Sequence, residues 1–92
     1  MSKQNQLSEL ERLAEAFCHI ADDFIIQYSK KYPGFELDKK SLEFGIVAGC
    51  CGFKDKAEKI LEEKGYTIQI ESFDWGIWRG EQLRSHILNK GE

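Results

Sequence analysis

Three cysteines and two histidines are the side chains here best suited to nucleophilic, redox or metal chemistry. Cys50 and Cys51 are adjacent, inside the stretch GIVAGCCGF that runs from Gly45 to Phe53. A vicinal pair can close a strained disulfide or hold a soft metal through thiolate, so Cys50 and Cys51 form a candidate thiol site for redox sensing or soft-metal binding. A metal centre needs further ligands at useful spacing, and neither CxxC nor a close Cys/His pair stands beside them. Cys18 and His19 are neighbours too, but adjacent residues on a helix point apart and cannot chelate one ion. A nucleophilic cysteine needs its pKa lowered by a histidine or a helix N-terminus. The apolar neighbours of Cys50 and Cys51 predict instead two small hydrophobes in a core. His19 has Glu15 one turn before and Asp23 one turn after, which favours a charged imidazole on a solvated face. His86 has no evident partner. With no Ser/His/Asp, HExxH or paired-carboxylate pattern, the sequence predicts no enzyme, no cofactor and no metal site.

The glycines of GIVAGCCGF lack the GxGxxG spacing and the Lys-Ser/Thr of a phosphate loop. A Rossmann-like unit over 44–72 would need more parallel strands than the remaining residues supply. Gly45, Ala48, Gly49 and Gly52 lie three and four residues apart, which predicts close helix packing. The expected partner is the helix over 7–31, with Phe17 and Phe24 set against the glycines. The same geometry suggests a small-ligand pocket between the two long helices.

The segment ESFDWGIWRG concentrates large side chains beside an arginine. Trp and Arg are enriched in interface hot spots because each buries much area and keeps a polar handle. Phe73, Asp74, Trp75, Ile77, Trp78 and Arg79 are therefore the predicted protein-binding residues, with Trp75 or Trp78 as an alternative lid on the core. The function expected from the sequence is a small non-catalytic regulator, inhibitor or adaptor whose partner is another protein.

The elements that must position these residues follow from periodicity. Leu10, Leu13, Ala14, Phe17, Ala21, Phe24 and Tyr28 recur at three and four, which predicts one amphipathic helix over 7–31, bordered by Ile20 and Ile25. Ser8 with Glu11 resembles a capping box, residues 1–6 read as flexible, and Pro33-Gly34 stops the helix. Asp38 before KKSLE is a helix entry. Leu42, Ile46, Gly49, Phe53, Ala57, Ile60 and Leu61 then share a stripe. They predict a helix over 39–64, kinked near Gly49–Gly52 and ended by Gly65.

YTIQIES alternates, with Tyr66, Ile68 and Ile70 facing one way, and predicts a strand over 66–72. Its partner would be a hairpin return over 75–79 or the same strand of a second copy, giving a homodimer. A short C-terminal helix would offer Leu83 and Ile87. The predicted fold class is α+β in a single domain, 1–92: a long helical hairpin, a short β segment and a short C-terminal helix.

Bulk properties exclude other classes. The 92 residues are 41% hydrophobic and 32% charged, an ordinary globular balance. Thirteen basic and sixteen acidic residues give a net charge of −3 with interspersed signs, unlike a nucleic-acid-binding face. Lys30, Lys31, Lys39 and Lys40 cluster, but Glu36 and Asp38 interrupt them. No run approaches the ~18 apolar residues of a membrane span. The opening MSKQNQLSELER is too polar for a signal peptide, and the odd cysteine count suits reduced thiols. The expected location is cytoplasmic.

Overall fold

One helix, buried along nearly its whole length, organises the computed structural model. The structure describes the backbone of residues 2–90 and the side chains of residues 8–87. Five helices follow in order: α1 (Ser2–Ala16), α2 (Cys18–Lys31), α3 (Lys39–Cys51), α4 (Lys54–Glu63) and α5 (Ile70–Lys90). Every residue of α3 from Ser41 to Gly49 is buried. A helix apolar all round must be covered on every side. Here α5 covers one face, and α1, α2 and α4 cover the rest.

Local signals explain the boundaries. Asp38 caps α3, its side chain accepting a hydrogen bond from the Ser41 amide at 3.0 Å and one from the Ser41 hydroxyl at 2.7 Å. Gly52 ends α3 with φ 74, and its amide donates to the Ala48 carbonyl. Gly65, with φ 78, closes α4 in the same way, its amide donating to Glu62 while that of Tyr66 donates to Leu61. Pro33-Gly34 turns the chain after α2, as the sequence predicts.

The apolar stripes hold, but their helices are interrupted. The predicted helix over 7–31 breaks at Phe17, between α1 and α2. Its stripe survives the break: Leu10, Ala14, Ala21 and Tyr28 are buried, and Leu13, Phe17 and Phe24 are half-buried. Ser8 does not cap it, because α1 begins at Ser2. The expectation for 1–6 concerns residues whose side chains lie outside those described. The predicted helix over 39–64 breaks at Gly52-Phe53, so α4 folds back with Ala57, Ile60 and Leu61 buried against Phe44, Val47 and Ala48.

The α+β class is not what forms. Among the described residues there is no strand, and the fold is all-helical. Residues 66–69 are an irregular connector, and residues 70–90, predicted to be the end of a strand, a hairpin return and a short helix, are a single 21-residue helix. The expected homodimer through a 66–72 strand therefore has no strand to form it. Polar side chains decide the change. The Gln69 carbonyl accepts from the Phe73 amide at 3.0 Å, opening α5. The Gln69 amide donates to the Ser41 hydroxyl at 2.9 Å, and the Asp38 amide donates to the Ser72 hydroxyl at 2.8 Å. The Ser72 hydroxyl also bonds to the Gln69 side chain. A backbone donor that a strand would offer to a neighbour, the Gln69 amide, is thus spent on a joint cap for α3 and α5.

That cap places two helix N-termini together, so α3 and α5 run parallel, with α4 as the return. Glycines then let their backbones touch. A Cβ at Gly45 would lie 2.2 Å from the Phe73 carbonyl oxygen, and one at Gly49 2.2 Å from that of Ile77. Reciprocally, a Cβ at Gly76 would lie 2.3 Å from the Leu42 oxygen, and one at Gly80 2.2 Å from the Ile46 oxygen. The close packing expected of the glycines is real, but its partner is α5 and not the helix over 7–31. The molecule is flat, with principal extents of 42 × 39 × 19 Å, about two helix diameters thick.

Candidate functional site

Helical geometry divides the predicted binding segment among three faces of α5. Phe73 and Ile77, one turn apart, point inward at 0% and 8% exposure and belong to the core. Gly76 lies between them against α3. Asp74 and Trp78 face outward, and Trp75 is half-buried. Arg79 is half-buried too, its guanidinium donating to the Gln82 side chain at 3.4 Å. Phe73 and Ile77 are thus not available to a partner, whereas Asp74, Trp75 and Trp78 are.

The two tryptophans meet a second set of rings on α2. Trp75 packs 5.9 Å from Phe24 and 5.4 Å from Tyr28 between ring centroids, and Trp78 stands edge-on to Trp75 at 5.6 Å. Tyr28 is 4.8 Å from Tyr32 and 5.8 Å from Phe35, beyond the end of α2. Six of the chain's eleven aromatic residues are therefore one connected cluster. Offset and edge-to-face pairs each add about 0.5–1.5 kcal/mol beyond burial, so the cluster also clamps α2 to α5. Sequence reasoning missed Tyr32, Phe35, Ile70 and Glu71, placed Tyr28 in the core stripe only, and placed Phe24 in that stripe and against the glycines. The aromatic residues on both sides of Pro33 are the signal that could have found Tyr32 and Phe35.

The face is partly open. Trp78 is 48% exposed and Ile70 60%, and Tyr32 and Phe35 are also exposed. A hollow of about 170 Å³ lies among Phe24, Tyr28, Tyr32, Trp75 and Trp78, with Lys31 at its edge. Across the indoles a shallow depression is bounded by Ile70, Glu71 and Asp74. Burial raises the Tyr28 hydroxyl pKa, and the Glu71 carboxylate beside it raises it further, so the phenol stays a neutral donor. A separate apolar cleft between α1 and α4, lined by Leu10, Leu13, Phe53 and Ile60, has no such ring cluster.

The thiol pair sits elsewhere. Cys50 and Cys51 form the last turn of α3, Cys50 half-buried and Cys51 exposed, where the sequence predicts two buried residues in mid-helix. Both are free thiols. Burial pushes the Cys51 thiol up, Cys50 adds to the rise, and Arg84 opposes it. Among the described residues no three His, Cys, Asp or Glu side chains gather closely enough to hold a metal. His19, Glu15 and Asp23 are exposed, and the break at Phe17 puts Glu15 on a different helix from the other two. Of the four clustered lysines, Lys39 reaches Asp22 at 3.0 Å and Lys40 reaches the buried Glu43 at 3.6 Å. The hydrogen bond from Lys39 to Asp22 raises the Lys39 pKa. The glycine wall of the expected ligand pocket is occupied by α5.

The chain matches no family model, no curated protein and no solved structure. Among the described residues, no helix is long and apolar enough to cross a membrane.

Proposed function

We propose that this protein is a non-catalytic protein-binding module, a regulator, inhibitor or adaptor, that engages its partner through the aromatic face shared by α2 and α5. One observation carries the proposal: exposed Tyr32, Ile70 and Trp78 line two adjoining hollows with the half-buried Trp75, and exposed Phe35 packs on Tyr28 beside them. Single exposed apolar residues are ordinary, but a contiguous group with a polar rim marks a contact surface. Trp and Tyr are also the residues most favoured at interface centres. The adjoining depression of about 640 Å³ is wide open, and the more enclosed hollow of about 170 Å³ is smaller than the roughly 300–1,000 Å³ of small-molecule sites. It suits a partner's side chain better than a metabolite. The proposal includes a cytoplasmic location, in keeping with three free cysteines.

The thiol alternative has weaker support. Cys51 is accessible, but its raised pKa leaves less thiolate to react or to bind metal.

A photo-crosslinking residue at position 78, compared with one at exposed Ser29, tests the proposal in cells that make the protein. A covalent protein adduct specific to position 78 is the supporting result, and adducts at neither position would refute it. Trp78→Ala should abolish the interaction while keeping the helical circular dichroism signal. Phe73→Ala, in the core, should cost about 3–5 kcal/mol of stability.

A further inference from the structure

We infer that the partner of this aromatic face is a second copy of the same chain, docked across a two-fold axis near Trp78; this rests on the binding role proposed above. The charges at the rim carry the inference. Asp74 lies along the depression on one side of the two indoles, and Glu71 lines the same depression while its carboxylate reaches the Tyr28 hydroxyl. Lys31 lies at the edge of the hollow on the other side, its ammonium 5.8 Å from the Tyr32 ring centre. Among the described residues, none of these three has an oppositely charged partner, whereas Lys39 and Lys40 are both paired.

A two-fold interface joins a patch to itself, so every contact between two different residues occurs twice, once from each copy. A patch with an apolar centre, acid on one side and base on the other satisfies that demand. Rotation by half a turn sets Lys31 of each copy against Glu71 and Asp74 of the other. A partner of uniform charge would leave one side of the rim facing a like charge, which costs several kcal/mol. The exposed indole of Trp78 borders both hollows, so each copy can cover the other's rings.

The full chain should sediment at twice its 10.6 kDa mass at micromolar concentration. Lys31→Glu alone, and Glu71→Lys with Asp74→Lys, should each weaken dimerisation by roughly tenfold or more, because each sets like charges face to face. Mixing the two variants should restore a dimer. In the mixed pair, one copy's Glu at 31 meets two lysines, while the other's Lys31 meets Glu71 and Asp74. That rescue separates the interface from any loss of folding. A monomeric wild type, a mixture that stays monomeric, or a dimer indifferent to Trp78→Ala and to both charge variants would each overturn the inference. The crosslinker at position 78 then separates the two ideas. An adduct with a different protein overturns the second copy and leaves the binding role standing, whereas no adduct overturns both.

Discussion

Gly49→Ala is the sharpest probe of this fold, because local and tertiary physics predict opposite signs. Within an exposed helix, replacing glycine by alanine stabilises by about 1 kcal/mol. At position 49 the new Cβ would lie 2.2 Å from the Ile77 carbonyl oxygen and 2.9 Å from the Ile77 carbonyl carbon and Cα. Ordinary contacts to a methyl begin near ~3.5 Å, so α3 and α5 must part by more than about 1 Å. Each neighbouring atom is backbone, and no rotamer change can relieve the clash. Overpacking costs typically 1–3 kcal/mol and occasionally more. Both helices are otherwise locked by their joint cap, which argues for the upper end. After the propensity gain, we expect a net loss of about 2 kcal/mol, or roughly 8–16 °C in melting temperature for a domain of this size. Gly80→Ala should behave alike, since its Cβ would meet the Ile46 oxygen at 2.2 Å. Gly49→Leu should abolish the native fold, since marginal domains hold only about 5–15 kcal/mol. Urea unfolding followed by far-ultraviolet circular dichroism measures the shift, with the slope checked for constancy. A urea midpoint that rises for Gly49→Ala and Gly80→Ala would refute the parallel glycine contact.

Three further outcomes follow from the caps, the connector and the thiols. Asp38→Ala should lower stability by about 1–2 kcal/mol in the same urea assay, since it removes the acceptor for both Ser41 donors; an unchanged midpoint would show the cap to be idle. The Tyr66 hydroxyl donates to the Glu11 carboxylate, and that bond, with burial and the carboxylate charge, raises the Tyr66 pKa. The folded value lies above the unfolded one, so the stabilisation is complete below about pH 10 and declines as the pH rises through the folded value. The gap in melting temperature between wild type and Tyr66→Phe should therefore be constant at neutral pH and shrink in alkali, and a constant gap would contradict the bond. Cys51 should alkylate more slowly near neutrality than free cysteine in solution, as its raised pKa requires; faster labelling would revive the thiol alternative.

Much of the helical framework was legible because its causes are local. Leu10 to Tyr28 and Leu42 to Leu61 repeat at helical spacing, and Asp38, Pro33-Gly34 and Gly65 act on adjacent backbone. Their stripes survive even where Phe17 and Gly52 divide the helices. The aromatic site was half legible. Trp75 and Trp78 stand out by residue type, but Tyr32 and Phe35 reach them only because Tyr28 bridges the two helices. Phe73 and Ile77 were misjudged, since one helical turn separates them and carries both inward while their neighbours point out.

The alternation of Tyr66, Ile68 and Ile70 is compatible with a strand, and nothing local refutes it. A strand needs a partner for its backbone groups, and here the Ser41 hydroxyl takes the Gln69 amide instead, while the Ser72 hydroxyl takes the amide of Asp38. Both amides lie far in sequence from the hydroxyls that accept from them. Gly76 and Gly80 read locally as turn residues, yet they sit inside a 21-residue helix. Their spacing has meaning only against Gly45 and Gly49. By itself the sequence determined which residues are apolar, where α3 starts, where α2 and α4 stop, and that small residues on α3 needed a close neighbour. The tertiary structure alone decided that this neighbour is α5, because a close backbone contact requires matching glycines on two segments that the chain brings together only on folding.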